Sequence, residues 1–410
     1  MKRVSLFILV VLLLFLAACG GDNALITTPN LASQFGTAED EYGVDVTVSS
    51  TGQVYELSQL TEGRTSEDGG SYLFTAIYLT RYATGGAVVW QKEVANEACY
   101  TRSQSFCTSN FPKARAVYTD ARNYVYTWIA DSYSGYSDDE GDYTRNFGQI
   151  YQYSTAGNLI DAYYGGAPHC VSTVGSCLID KAMDKAGIVY TARSGFGYGG
   201  DLYQYESVVT KDYVWERPST VGVLYGIAVA NGGSITVVGN QGMARYTNGG
   251  KLVWTKTGTS YAVTTDNDIT VSGSNVYVRN LRELRKYDVN GRLLWKKAQT
   301  GLDTLVLQDM AADGTGNVYI SGKYDADASK ARNMNAFARK LNSSGSVMWT
   351  KTFGTSRYDD GRGIATINSS EIYVTGETQG SLAHSNLGGS ENRNGYLRKL
   401  NSLGNPVWTR

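Results

Sequence analysis

Two histidines, His169 and His384, are the whole complement of this chain, and they stand in different, widely separated segments. A serine-histidine-aspartate set needs a histidine oriented by a carboxylate beside a presented nucleophile, and no nucleophile-elbow sequence accompanies either one. Gly195-Phe-Gly-Tyr-Gly-Gly200 fits the Gly-x-Gly-x-x-Gly spacing. No helical pattern follows to offer a phosphate its N-terminus, so this reads as a loop. Asp138-Asp139-Glu140-Gly141-Asp142 gathers the oxygen ligands that calcium prefers. It lacks the spacing of a helix-flanked calcium loop, and a solvated acidic loop is the expectation. These residues predict no catalytic set, no metal and no cofactor.

The cysteines offer cross-linking chemistry instead. Beyond Cys19 there are four, Cys99, Cys107, Cys170 and Cys177. An even number in an exported chain points to disulfides. Local pairs, Cys99–Cys107 and Cys170–Cys177, are preferred, while cross-links between the two segments stay open. Neither pair has the short spacing or histidine partners of a zinc site.

The elements that position these residues come from a repeat. Gly86-Ala-Val-Val-Trp90, Gly250-Lys-Leu-Val-Trp254, Gly291-Arg-Leu-Leu-Trp295, Gly345-Ser-Val-Met-Trp349 and Gly404-Asn-Pro-Val-Trp408 share one form. Lys211-Asp-Tyr-Val-Trp215 lacks the glycine, and Gly157-Asn-Leu-Ile-Asp161 lacks the tryptophan. Internal repeats of this kind announce a repeated architecture. With 47 Gly, 31 Tyr and only 5 Pro, the composition suits many short strands joined by tight turns.

Each copy holds four strand-like pieces. The first, A, reads Gly43-Val-Asp-Val-Thr-Val48 or Gly363-Ile-Ala-Thr-Ile367. The second, B, centres on a tyrosine, as in Val54-Tyr55, Val125-Tyr126, Val276-Tyr277 and Ile372-Tyr373; only Ile235-Thr236-Val237 departs. Strand C includes Tyr396-Leu-Arg-Lys-Leu400, and D carries the tryptophan. The pattern predicts an all-β, seven-bladed β-propeller of four-stranded antiparallel blades over residues 35–410. The glycine supplies positive φ to the C–D turn. The tryptophan is expected to bury a large apolar plate against the next blade. The last blade should meet the first by packing, without a shared strand.

Asp313-Gly-Thr-Gly-Asn-Val-Tyr-Ile-Ser-Gly322, and Trp349-Thr-Lys-Thr-Phe-Gly354 leading to Ile372-Tyr-Val-Thr-Gly376, resemble the bacterial SBBP β-propeller repeat. The match is best in blades 6 and 7. The resemblance implies a propeller and brings no catalytic residues. The Gly-x-x-x-Trp turn is also similar to repeats of quinoprotein-like propellers, including the lipoprotein subunit of the outer-membrane barrel-assembly machinery.

The first residues read as an address. Lys2 and Arg3 precede an apolar run from Leu6 to Leu16, a secretory signal too short to span a bilayer. Leu16-Ala17-Ala18-Cys19 resembles the bacterial lipobox, which implies removal of residues 1–18 and lipidation of Cys19. An ordinary cleaved signal is the other reading. Gly20 after the cysteine favours the outer membrane if the organism has one. Residues 19–34 read as a polar tether, roughly 50 Å long when extended at about 3.3 Å per residue.

Blades 4 and 5 run from B to C almost directly, whereas the others carry insertions: Thr61 to Gly70, Asp131 to Phe147, Ser194 to Gly200, Asp325 to Asn335 and Glu377 to Gly395. In a meander all B–C and D–A loops emerge on one face, and loops on a rigid scaffold carry binding. Tyr133, Tyr136, Asp138, Asp139, Tyr198, Asp325, His384 and Asn386 are the candidate binding residues. The leading expectation is a monomeric, non-enzymatic scaffold for an envelope or extracellular protein. A glycan-binding lipoprotein is the alternative, because tyrosines such as Tyr133 and Tyr136 stack on sugars. A propeller enzyme would need several carboxylates converging on the central funnel. A net charge of −1 and the absence of a basic stripe give no support to nucleic acid binding.

Overall fold

A computed structural model describes residues 40–65, 71–99, 112–137, 141–165, 178–195, 199–205, 213–230, 232–258, 267–280, 283–302, 305–325, 333–382 and 392–410. These residues form seven four-stranded antiparallel sheets, each a contiguous stretch of chain with its strands in sequence order. The architecture is an all-β propeller.

Blade 1 holds β1 (Asp40–Val48), β2 (Val54–Thr65), β3 (Ser71–Tyr82) and β4 (Val88–Cys99). Blade 2 holds β5 (Lys113–Thr119), β6 (Val125–Ser137), β7 (Gly141–Tyr153) and β8 (Leu159–Gly165). Blade 3 holds β9 (Leu178–Met183), β10 (Val189–Gly195), β11 (Gly199–Tyr205) and β12 (Tyr213–Pro218). Blade 4 holds β13 (Leu224–Val229), β14 (Ile235–Gly239), β15 (Gly242–Tyr246) and β16 (Leu252–Thr257). Blade 5 holds β17 (Asn267–Ser272), β18 (Asn275–Asn280), β19 (Glu283–Tyr287) and β20 (Leu293–Ala298). Blade 6 holds β21 (Val306–Ala312), β22 (Val318–Asp325), β23 (Met334–Leu341) and β24 (Val347–Phe353). Blade 7 holds β25 (Asp359–Asn368), β26 (Glu371–Thr378), β27 (Asn394–Leu400) and β28 (Pro406–Thr409).

One row of residues crosses three strands of each blade. The B-strand tyrosine faces a C-strand residue, which faces the D-strand tryptophan: Tyr55–Arg81–Trp90, Tyr277–Lys286–Trp295, Tyr319–Lys340–Trp349 and Tyr373–Lys399–Trp408. Blade 4 places Thr236, Arg245 and Trp254 in the same row. Tyr55, Tyr277, Tyr319 and Tyr373 are fully buried. Their rings lie 5.9, 6.2, 6.4 and 6.0 Å from the tryptophan of the same blade. Lys286, Lys340 and Lys399 lie over the tyrosine rings at 5.2–5.3 Å, a cation–π contact that buries the lysine stem and leaves the ammonium at a polar edge.

The row is completed by the next blade. Each indole N–H donates to a carbonyl in the neighbouring C–D turn: Trp90 to Thr155 at 3.0 Å, Trp215 to Asn248 at 3.0 Å, Trp254 to Val289 at 2.9 Å, Trp295 to Ser343 at 3.0 Å and Trp349 to Ser402 at 3.0 Å. Trp408 donates to Thr84 at 3.1 Å, joining the last blade to the first. The turn glycine sits on the indole face. Gly404 has φ +75°, and a Cβ there would lie 2.9 Å from the Trp349 ring. The glycine is therefore required twice over, for its backbone conformation and for close approach.

Three expectations are corrected. The D-strand tryptophans are not fully buried plates: of these only Trp215 is buried, and Trp90, Trp254, Trp295, Trp349 and Trp408 are half-buried, because the D strand is outermost and one ring edge meets solvent. Cys99 is not in a free connection; it ends β4 and pairs with Leu73 in the ladder. The insertions of blades 1 and 2 are not open loops. They lengthen the ladders of β2–β3 to Thr65↔Ser71 and of β6–β7 to Ser137↔Gly141.

Gly404→Ala should cost about 1–3 kcal/mol through forced positive φ and collision with Trp349. Gly63→Ala, where a Cβ meets open space, should be close to neutral. Urea unfolding of the two variants beside the parent checks this; equal midpoints would contradict the assigned role of the turn.

Candidate functional site

The A strands surround the axis, and most of them carry the same irregularity. Each of β1, β5, β9, β13, β21 and β25 has a β-bulge that leaves one extra residue: Val44, Arg115, Ile179, Tyr225, Gln308 and Arg362. Bulges re-aim side chains. The next residue is an aspartate in three of these strands, Asp45, Asp180 and Asp309, and Asp268 of β17 takes the equivalent register.

These aspartates strap neighbouring blades together. Asp45 accepts from the Val117 N–H at 2.9 Å, Asp180 from Ile227 at 2.8 Å and Asp309 from Ile364 at 2.6 Å, in each case on the following blade. Asp268 holds the equivalent place on blade 5, close enough for its charge to act on Asp309. Burial pushes the Asp45 carboxyl up to about 7. Asp309 is raised well above the usual carboxylate range by burial and then by the charges of Asp268 and Asp45. Asp268 is also raised, chiefly by burial, with Arg279 opposing.

Blade 2 adds a phenol. Tyr118 occupies the register held elsewhere by Thr47, Ala182, Ala228, Thr270, Ala311 and Ala365. Burial and then the charges of Asp180, Asp45, Asp268 and Asp309 raise its pKa well above the ordinary range. Tyr118 and the four aspartates thus share one axial space, yet all five side chains are half-buried by solvent accessibility.

The carboxylates expected of a propeller enzyme do converge. Their geometry is that of fasteners, however, because Asp45 and Asp309 engage both oxygens with backbone N–H groups. Among the described residues no three His, Cys, Asp or Glu side chains are grouped to hold a metal ion.

A second cluster lies where the A strands begin and the B strands end, on the face of the B–C and D–A connections. Glu377 is fully buried and pairs with Arg362 at 2.8 Å and Arg393 at 3.1 Å. Lys323 pairs with Asp360 at 2.8 Å and donates to the Tyr358 hydroxyl at 2.6 Å. The Arg362 guanidinium lies 4.7 Å over the Tyr42 ring.

A third buried acid marks the joint between blades 7 and 1. Glu56 accepts from the Tyr82 hydroxyl at 2.8 Å and from Thr375 of the last blade. Burial pushes it up to about 8, with the charge of Glu41 adding to the effect. A Cβ at Gly43 would lie 2.8 Å from the Glu56 carboxyl and collide with the Thr375 hydroxyl, so this joint closes only over a glycine.

Of the sequence-predicted residues, Cys99, Tyr133, Tyr136 and Asp325 lie in described strands. Tyr133 and Tyr136 stand in β6 opposite Arg145 and Asp142. Asp325 ends β22 opposite Met334, apart from the Tyr133–Tyr136 hairpin. Cys19, Cys107, Cys170, Cys177, Asp138, Asp139, Tyr198, His169, His384 and Asn386 lie outside the described residues. The axial aspartates went unnoticed, although Asp45 stands in an A strand that was recognised. The signal was an aspartate recurring at one register in four of the seven A strands. Glu56 occurs once, and Arg115 and Arg362 share a bulge position that only the strand register reveals.

No protein-family model matches the chain, and no curated protein does. Solved structures align with the chain at low identity and with TM-scores below 0.5. A chain in the crystal structure of a mitotic checkpoint complex aligns over 91% of this chain and 95% of its own, with 11% identity and a TM-score of 0.47. A protein of unknown function from Bacteroides caccae aligns over 64% and 89%, with 14% identity and a TM-score of 0.39. A functionally unknown protein from Desulfotomaculum acetoxidans aligns over 75% and 89%, with 14% identity and a TM-score of 0.43.

The raised carboxyls set a pH dependence. A carboxyl whose pKa is higher in the fold than in the unfolded chain binds more protons when folded, so stability falls as pH rises between the two values and then levels. For Glu56 the window runs from its ordinary 4.5 to about 8. The melting temperature should therefore fall from pH 5 to pH 8, and Glu56→Gln should flatten that slope and raise the pH 8 value. A thermal-melt series at four pH values checks both; a parent protein that grows more stable toward pH 8 would rule out the assignment.

Proposed function

We propose that this chain is a lipid-anchored cell-envelope propeller whose seven sheets act as one seven-bladed ring, a non-enzymatic scaffold that binds a protein partner on the face of the B–C and D–A connections. The observation that carries the reading is the unequal height of that face. From the tyrosine row the B strands of blades 1 and 2 continue to Thr65 and Ser137, whereas those of blades 4 and 5 stop at Gly239 and Asn280. With 13 residues in β6 against 5 in β14, a strand rise of about 3.3 Å gives a difference of roughly 25 Å. In ring order, blade 1 stands across the axis from blades 4 and 5. Two tall ribbons therefore face a low notch, a form that admits an extended or convex protein element from one side.

The same features support exclusion of the opposite face, whose A–B and C–D turns are short and hydrogen-bonded to themselves. Examples are Gly86 to Ala83, Gly250 to Thr247 and Gly404 to Asn401. The signal-like N-terminus and the lipobox resemblance at Cys19 support the anchored, exported location.

Site-specific photo-crosslinkers at Arg64 and Tyr136 should capture one and the same protein in cells, while crosslinkers at Ser344 and Leu403 on the opposite rim should not. Capture from the opposite rim alone, or no protein from either ribbon while the chain is folded and membrane-associated, would remove the scaffold reading.

A further inference from the structure

We propose that the ring has a built-in opening point, the junction of blades 2 and 3, which yields before any other joint and lets the blade 2 ribbon move against the rest. The inference goes beyond the scaffold reading and does not depend on it.

Two kinds of bond fasten neighbouring blades elsewhere, and this junction has the residues for neither. The indole bond is lost because β8 carries Asp161 at the tryptophan position, opposite Gln152. The Asp161 carboxylate instead accepts from the N–H of its own neighbour, Ala162, at 2.8 Å. The aspartate strap is lost because Ala116 follows the bulge of β5, where Asp45, Asp180 and Asp309 follow theirs. Blade 4 also lacks the strap, with Gly226 in that place, but Trp254 still holds blade 5 through Val289 at 2.9 Å. Blades 7 and 1 have both the Trp408 bond and the bond between Thr375 and Glu56. Blades 2 and 3 meet through a backbone bond between their A–B turns, from the Ala121 N–H to the Lys185 carbonyl at 2.9 Å, and through packing of Tyr126, Trp128 and Ile150 on Val189.

The packing here is looser as well. Tyr118 puts a phenol at the register where the other six A strands have alanine or threonine, and so acts as a wedge. Among the described residues, β5 and β9 approach each other least of all neighbouring A strands. A cavity of about 10 Å³ remains between the blades, with Tyr118, Trp128 and Ile150 on one wall and Ala182, Met183 and Val189 on the other. Side chains across such a gap forfeit part of their dispersion attraction. On the blade 2 side, β6 and β7 run on beyond the sheet as the ribbon that ends at Ser137↔Gly141. Opening at this junction therefore displaces a tall ribbon, whereas the short B strands of blades 4 and 5 carry none.

The test places a cysteine at the residue before the row tyrosine, which faces the preceding blade. Val189 reports on the proposed opening, Val276 on the junction of blades 4 and 5, and Val318 on that of blades 5 and 6. All three are buried. Alkylation of the folded full chain by iodoacetamide, without denaturant, is followed peptide by peptide by mass spectrometry. Val189→Cys should label about 10-fold faster than the other two, the worth of one missing interblade hydrogen bond. Trp254→Phe, added to Val276→Cys, removes the indole donor at a junction that has no strap. It should speed labelling there by about 10-fold and, added to Val189→Cys, should leave that rate unchanged. Hydrogen exchange of the unsubstituted chain repeats the comparison without a substitution: β9–β10 should be less protected than β17–β18 and β21–β22. Val276→Cys or Val318→Cys labelling as fast as Val189→Cys in variants whose melts match, equal protection of the three strand pairs, or Val276→Cys labelling indifferent to Trp254→Phe would each overturn the proposal.

Discussion

The bond from an indole N–H to the next blade's C–D turn is the constraint on which the molecule depends. A four-stranded sheet cannot bury both faces alone, and the tyrosine row covers only one. The tryptophan ends that row and reaches into a glycine turn it does not own. Every blade but the second, which has Asp161 in place of the tryptophan, therefore finishes the core of its neighbour. The joint is directional, since donor and acceptor always belong to different blades, and it recurs at the junction of Trp408 with Thr84. A linear chain is thereby held as a ring with no exchanged strand among the described residues.

At the axis the demands differ. The A strands converge where backbone N–H groups would otherwise lie in a narrow, poorly wetted space. Bulges turn Asp45 and Asp309 toward those N–H groups, and burial raises the pKa of both carboxyls, with the charge of Asp268 adding to it. The same irregularity recurs in β5 and β25, where Arg115 and Arg362 are the bulged residues and Ala116 and Gly363, not aspartates, follow them.

Much of this architecture was legible in the sequence because it is local. The glycine of a tight turn and an aromatic at fixed spacing survive in any context, so blades, turns and the tyrosine row were readable. What lay between strands was not. Arg81, Lys286, Lys340 and Lys399 look like ordinary surface cations until register places each between a tyrosine and a tryptophan. The ribbons of blades 1 and 2 read as loops because a two-stranded ribbon beyond the sheet has two wet faces and needs no apolar alternation; Glu62, Gly63 and Arg64 form ladder pairs all the same. The axial aspartates escaped because an acidic residue in a strand ordinarily faces water. The loop residues chosen as binding candidates remain expectations of sequence, for most lie outside the described structure.

Glu56 gives the closing joint a character the other joints lack. At the register after the row tyrosine, other blades carry Thr127, Thr191, Val237, Val278, Ile320 and Val374, and only blade 1 carries an acid. Blade 1 leaves the ribosome first and waits longest for its neighbour across the ring. Until Thr375 arrives, the carboxylate is charged and hydrated, which keeps that flank soluble and unattractive to passing apolar surfaces. When the last blade docks, the acid takes up a proton and is sealed beneath Gly43 and Thr375. The flank is built to stay wet during synthesis and to become dry only for the partner that completes the circle.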